Sequence, residues 1–186
     1  MKALKLVLIF VVAIVLLAVL GFGVYLAVNK QKPAQPFEAI YGTGEGRILI
    51  ATQGSKFKDL LTEELLSRLE GGNVYICGID ISGLAETDPA KWDAVLLVHT
   101  TEKRVLPPSV EAFLARAESD KIVEVITSGD GKWRPEASEV EIITSASKIE
   151  RVSAVADEAV QKVLAILSAK VSPPAAPDSA APSEAE

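Results

Sequence analysis

Three short polar segments carry the residue types that could do chemistry in this chain: Gln53-Gly54-Ser55-Lys56-Phe57-Lys58, His99-Thr100-Thr101-Glu102-Lys103-Arg104 and Ser128-Gly129-Asp130-Gly131-Lys132-Trp133. In the first, Ser55 suits a helix N-cap, so the amides that come after it are unpaired donors. Lys56 and Lys58 fall in the first helical turn, where the helix dipole opposes cations by about 0.3–1 kcal/mol each. A bound anion reverses that sign, and Gly54 lets the backbone come close to it. The plainer alternative is that both lysines point into water. In the second segment, Thr100 and Thr101 offer hydroxyls and His99 can titrate; the alternative is a histidine that merely caps a strand. In the third, Gly129 and Gly131 permit close backbone approach, Asp130 can accept from a ring N–H, and Trp133 can stack on a flat ligand. There the alternative is a tight turn with Trp133 covering the sheet edge.

Each segment comes after an apolar run that reads as a strand. The runs are Ile48–Ala51, 73–81 (bent at Gly78 and suited to an edge), 93–99, 121–127 and 140–145. Helices alternate with them. Phe57, Leu60, Leu61, Leu65 and Leu69 recur at helical spacing until Gly71-Gly72 stops the helix. Pro107-Pro108 opens a second helix with Val110, Phe113, Leu114 and Ala117 on one face. Ser147 and Glu150 fit a capping box for a third, whose stripe runs from Ile149 to Leu167. Only twelve residues, 128–139, join strands four and five, too few for a full helix. The pattern predicts an α/β fold with a five-stranded parallel sheet of order 2-1-3-4-5, covered on both faces. The crevice outside the carboxyl ends of strands 1 and 3 is where such a sheet binds ligands, and the three polar segments would line it.

The rest of the chain organises that domain. Residues 1–5 form a basic N-tail. Residues 6–28 are 23 positions without a charge, about 35 Å as a helix, and predict a single transmembrane span. That run is too long for a cleaved signal's apolar region. Residues 29–46 read as a juxtamembrane linker, 47–168 as the folded domain, and 169–186 as a disordered Pro/Ala-rich acidic tail. The expected location is the cell membrane. Lys2 and Lys5 nearly balance Lys30 and Lys32, and the short basic N-tail points to a domain on the extracytoplasmic side.

Composition excludes several classes. A net charge of -6 argues against a general nucleic-acid partner. One cysteine, Cys77, rules out an internal disulfide, and with His99 as the sole histidine no Cys/His metal cluster can form. No nucleophile–base pair can be assembled either.

With those elements in place, 47–168 resembles the flavodoxin fold family. The segment 128–133 is similar to the family's loop after strand 4, with its aromatic beside the flavin. Residues 93–101 match an Asp, an apolar run and closing hydroxyls. The resemblance implies FMN held through a Ser/Thr-x-Thr-Gly-x-Thr phosphate loop. Here that loop keeps only Ser55, with Phe57 and Lys58 where glycine and threonine belong. The resemblance extends to membrane-anchored bacterial flavodoxin-like proteins, and it leaves three readings. The first is a flavin-free domain for binding or assembly, with the lipid bilayer and an anionic small molecule or a membrane protein as partners, and no metal. The second is a tethered FMN electron carrier, with Ser55, Lys56 and backbone amides on the phosphate and Trp133 on the ring. The third is a hydrolase of an anionic envelope metabolite, which the polar crevice alone supports.

Overall fold

A computed structural model describes residues 2–29, 32–101 and 103–171. The chain divides into two units, 1–32 and 33–186. The first is a helix, α1 (Lys2–Asn29). Its side chains are described at Lys5 and over 9–24, and among the described residues no helix is long and apolar enough to cross a membrane. The large apolar side chains there are exposed, from 49% at Val11 to 68% at Leu17. Tyr25, Lys30 and the tail 172–186 lie outside the described side chains.

The second unit is built on one mostly parallel sheet. Its strands are β1 (Lys32–Pro33), β2 (Phe37–Tyr41), β3 (Gly46–Gly54), β4 (Val74–Asp80), β5 (Ala94–Thr100), β6 (Ile122–Thr127) and β7 (Glu141–Ser145). The order is β2-β4-β3-β5-β6-β7, with β1 beside β3. The five parallel strands, β4-β3-β5-β6-β7, have the expected 2-1-3-4-5 order, the flavodoxin-like one. Two helices, α2 (Lys56–Leu69) and α4 (Val152–Val171), cover one face. Ile48, Ile50, Leu96, Val98, Val123 and Val125 point to them and pack on Leu61, Leu65, Val155 and Ala159. Arg68 clasps the two helices together, with Nε 2.7 Å from Asp157 Oδ1 and Nη2 2.9 Å from Ser153 Oγ. The opposite face, with Leu49, Ala51, Val95 and Leu97, packs on Val110 and Phe113 of a short helix, α3 (Pro108–Leu114). A 3-10 turn, Ile81–Glu86, adds Ile81 and Leu84 to that layer.

The sheet is larger than the five strands expected. Within the segment read as a linker, Phe37–Tyr41 pairs antiparallel with β4, so β4 is interior and not an edge. Phe37, Ala39 and Tyr41 turn toward the α2/α4 core at strand period, with Glu38 and Ile40 on the other side. The register sets Phe37 opposite Gly78, and a Cβ at Gly78 would collide with the Phe37 ring. Gly78 is therefore a seat for an aromatic ring and not a kink. Asp80 ties the entering chain down: Oδ2 accepts from the Ala34 amide at 2.7 Å, and Oδ1 from the Ser82 amide and hydroxyl at 3.0 and 2.7 Å. Partial burial pushes the Asp80 carboxyl up, but the Ser82 and Ala34 hydrogen bonds prevail and hold it below its usual value.

The capping box is the other correction. Lys148 N–H donates to the Ala146 carbonyl at 2.7 Å, which turns the chain before Ser147 can cap. A 3-10 turn, Ile149–Arg151, comes next, and α4 starts at Val152 without side-chain capping by Ser147. Ile149, expected in the buried stripe, is 50% exposed.

Gly78→Ala should destabilise the domain by about 1–3 kcal/mol through overpacking. In a double-mutant cycle with Phe37→Ala the two losses should be clearly less than additive, read by chemical denaturation. Strict additivity would mean that the ring does not occupy the Cβ position.

Candidate functional site

At the carboxyl ends of β3, β5 and β6, polar side chains form one hydrogen-bonded row with Lys58 of α2. Ser55 is the N-cap of α2, in extended backbone, and its Oγ accepts the Lys58 amide at 3.3 Å. Gly54 ends β3, half-buried. Lys56 is exposed to water, as the plainer alternative had it. Lys58 is not: it is 1% exposed, on the α2 face that carries Leu61 and Leu65. Its Nζ donates to Thr100 Oγ1 at 2.7 Å.

The register sets Thr100 beside Thr127 and Thr127 beside Ser145. Thr100 Oγ1 and Thr127 Oγ1 are 2.7 Å apart, and Thr127 Oγ1 donates to the His99 carbonyl at 3.1 Å. A hydroxyl has one proton. Thr127 uses its proton on His99, so Thr100 must donate to Thr127, and Lys58 feeds the row. The Thr100 amide is also engaged, by Gln53 Oε1 at 2.8 Å, which links the first two loops. Thr100 therefore has no proton for a ligand, contrary to expectation. The Thr101 amide donates to the Thr127 carbonyl at 3.1 Å, fastening that loop to β6.

Burial pushes the Lys58 ammonium down to about 8, and the neighbouring Asp59 carboxylate opposes this. No carboxylate is among the described ion-pair partners of Lys58, whose hydrogen-bond acceptor is a neutral hydroxyl. A desolvated cation with a neutral partner is an electrostatic strain at this end of the sheet.

The third loop is closed on itself. Asp130 Oδ1 accepts from Ser128 Oγ at 2.8 Å and from the Lys132 amide at 3.1 Å, and these bonds hold its carboxyl below the usual range. Gly131 has φ +66° and lies so close to Ala146 that a Cβ would overlap its amide. Gly129 is exposed with open space around it, so its small size serves no close approach. Trp133 is half-buried, and none of the described contacts joins it to the Lys58 row. Glu102 lies outside the described residues. Lys103 and Arg104 both adopt left-handed backbone, φ 54° and 62°, at the turn toward α3.

His99 neither caps a strand nor faces the crevice. It is fully buried on the α3 face of β5, with Nε2 2.7 Å from Glu124 Oε1 of β6, itself fully buried. His99 Nδ1 and Glu124 Oε2 have no partner among the described residues. Glu124, Thr127 and Gln53 were not singled out in the sequence. The one visible signal was a lone acid in the apolar run Ile122–Thr127.

An FMN phosphate does not fit these residues. The flavodoxin-type loop needs hydroxyls and a glycine after the first Ser/Thr. Here Phe57 is a buried core residue and Lys58 is folded under the loop. The Thr100 donors are already engaged. What this end of the sheet retains for a ligand is the exposed Lys56 and the Thr101 hydroxyl, a set that favours acceptors and anions.

No protein-family model and no curated protein matches the chain. Among solved structures it is similar to a metal-soaked flavodiiron core from Synechocystis sp., at 11% identity and a TM-score of 0.46, over 69% of this chain and 37% of that one. It is also similar to an oxidoreductase from Corynebacterium diphtheriae, at 13% identity and a TM-score of 0.42, over 67% and 99% of the two chains. A Streptococcus pneumoniae flavodoxin aligns at 12% identity and a TM-score of 0.38, over 64% and 97%. The chain thus spans little more than a third of the flavodiiron core. None of these likenesses reaches an identity or score from which an activity can be carried over.

The Lys58 geometry has a measurable consequence. An unfolded lysine titrates near 10.5 and the folded one near 8. Between those values the unfolded chain binds more protons, so stability rises with pH across that window, by about 3 kcal/mol at most. Lys58→Met should remove that rise, measured as the difference between the two proteins' denaturation midpoints from pH 7.5 to 10.5. Parallel pH profiles would show that the amine is not desolvated.

Proposed function

We propose that this chain is a single-pass membrane protein whose flavodoxin-like domain carries no flavin and serves in binding or assembly. The observation that supports the flavin-free reading is the one-way row Lys58 → Thr100 → Thr127 → His99 carbonyl, which leaves neither Thr100 nor Thr127 a proton for a phosphate where a flavin loop supplies several. The membrane reading rests on the uncharged run 6–28, long enough as a helix for a hydrocarbon core. The basic N-tail supports an orientation with the folded domain extracytoplasmic. In that setting the crevice takes a small anion, with Lys58 as the buried charge and Lys56 at the mouth. A membrane protein partner is the alternative occupant of the binding role. The competing function, a tethered FMN carrier, draws on the same feature, since a lysine also holds phosphate as a point charge.

The full chain, extracted and purified in detergent, should be colourless and leave FMN fluorescence unchanged at micromolar flavin. A yellow protein, or quenching that Lys58→Met abolishes, would replace the flavin-free reading with the carrier. Independently, alkaline carbonate washing should leave the chain in the membrane pellet, whereas release into the supernatant would remove the anchor.

A further inference from the structure

Charge divides the folded unit end to end. The turns that come after β3, β5, β6 and β7 hold Lys56, Lys103, Arg104, Lys132, Lys148 and Arg151, all exposed. Among the described residues none of these cations takes part in an ion pair. The acids of the same turns are fewer: Glu102, Asp130 and Glu150. Asp130 is already committed to the Lys132 amide and the Ser128 hydroxyl, and the Arg104 charge adds to the pull that keeps its carboxyl low. The turns at the other end, before the strands, are acidic, with Glu45, Glu70, Asp93, Asp120 and Glu141. Lysines near that end are engaged: Lys121 by Glu118, Lys162 by Glu141 and Lys170 by Asp93, at 2.8, 2.5 and 2.6 Å. A chain of net charge -6 thus keeps one end cationic and unneutralised.

Three further features say what that end faces. The first is the entry of the chain. Ala34, buried, is fastened at the same end, its amide donating to Asp80 Oδ2 at the close of β4. The uncharged run 6–28 stops six residues before Ala34, and six residues reach about 20 Å at most when fully extended. The second is apolar exposure. Val105 is 61% exposed directly after Arg104, and Ile149 is 50% exposed between Lys148 and Arg151. Cations beside a protruding aliphatic group suit a lipid interface, where the charge meets headgroups and the aliphatic group enters the boundary below them. The third is extent. With strands about 4.8 Å apart, the turns after β3, β5, β6 and β7 span about 14 Å, wider than one small anion.

We propose that this end of the sheet lies on an anionic lipid surface, with Lys56, Lys103, Arg104, Lys132, Lys148 and Arg151 among the headgroups and Val105 and Ile149 in the boundary layer. The inference rests on the membrane-anchored reading and deepens it: the anchor holds the domain near lipid, and the charged turns choose which end meets it. Each cation contributes little alone, but the short tether makes the contact intramolecular in effect, so a weak surface suffices.

Lysine acetylation by acetic anhydride, read residue by residue by mass spectrometry, reports the contact. The full chain is compared in nanodiscs of phosphatidylcholine with and without phosphatidylglycerol. Lys103, Lys132 and Lys148 should react about threefold or more slowly where phosphatidylglycerol is present, and molar salt should erase the difference. Lys91, exposed near the acidic end, should react alike in both. Lys103→Glu combined with Lys148→Glu should remove the protection of Lys132 with unchanged melting of the domain. A chain that stays in the discs with these lysines labelled alike in both lipids overturns the surface and leaves the anchor standing. A chain that does not enter the discs removes the anchor and this inference together. Protection of Lys132 that survives both charge reversals also overturns it. Equal slowing by millimolar inorganic phosphate in phosphatidylcholine discs would overturn it in favour of a free anion.

Discussion

A parallel sheet leaves both faces apolar, and everything else in the domain answers that demand. Ile48, Leu49, Ile50 and Ala51 sit at the centre with no exposed surface on either side. One face is satisfied by two full helices held together through Arg68. The other has a helix of seven residues and two 3-10 turns, and the shortage falls on β4. The added strand β2 extends the covered side through Phe37 and Tyr41, but on the other side it only widens the uncovered area by adding Ile40. The asymmetry between the two layers is the main physical peculiarity of this domain.

The second peculiarity is where the sheet puts its polar residues. Both faces of β5 and β6 become polar near their carboxyl ends, with the Thr100–Thr127 row under α2 and the His99–Glu124 pair under α3. A flavodoxin-type crevice would turn such groups outward to a ligand. Here they bond to one another, with His99 Nδ1 and Glu124 Oε2 left without a partner among the described residues, and a buried lysine supplies the donor that the row lacks. The site is thus internally consistent without a flavin, at the cost of desolvating an ammonium.

The sequence disclosed those elements whose periodicity is long or whose boundaries carry strong turn residues. The five parallel strands and their order were legible from apolar runs separated by helical patterns, and Pro107-Pro108 marked α3 correctly. β2 was hidden because it is five residues between Pro36 and Gly42, and its warrant is remote: the alternation Phe37, Ala39, Tyr41 gains meaning only with the missing Cβ of Gly78. Lys58 was read as an anion ligand at the helix start, with a lysine in water as the alternative. Its position contradicts that, since 58, 61, 65 and 69 lie on one helical face, and position decided. Ser147 failed as a cap because a tight local turn, Lys148 N–H to the Ala146 carbonyl, replaced the capping geometry. Glu124 was legible as an anomaly, a carboxylate in a strand buried on both sides, but its partner depends on the lateral register of β5 and β6.

The hydroxyl row has a direction. While Lys58 carries its proton, each bond in the row can point only one way, from the amine toward the His99 carbonyl. Once the amine is neutral it can accept as well as donate, and the Thr100 hydroxyl then has a second acceptor beside Thr127 Oγ1. The row is therefore ordered below the titration and has an alternative polarity above it. Losing a single proton on α2 would blur the polarity of groups on two different strands, with no side chain leaving its place.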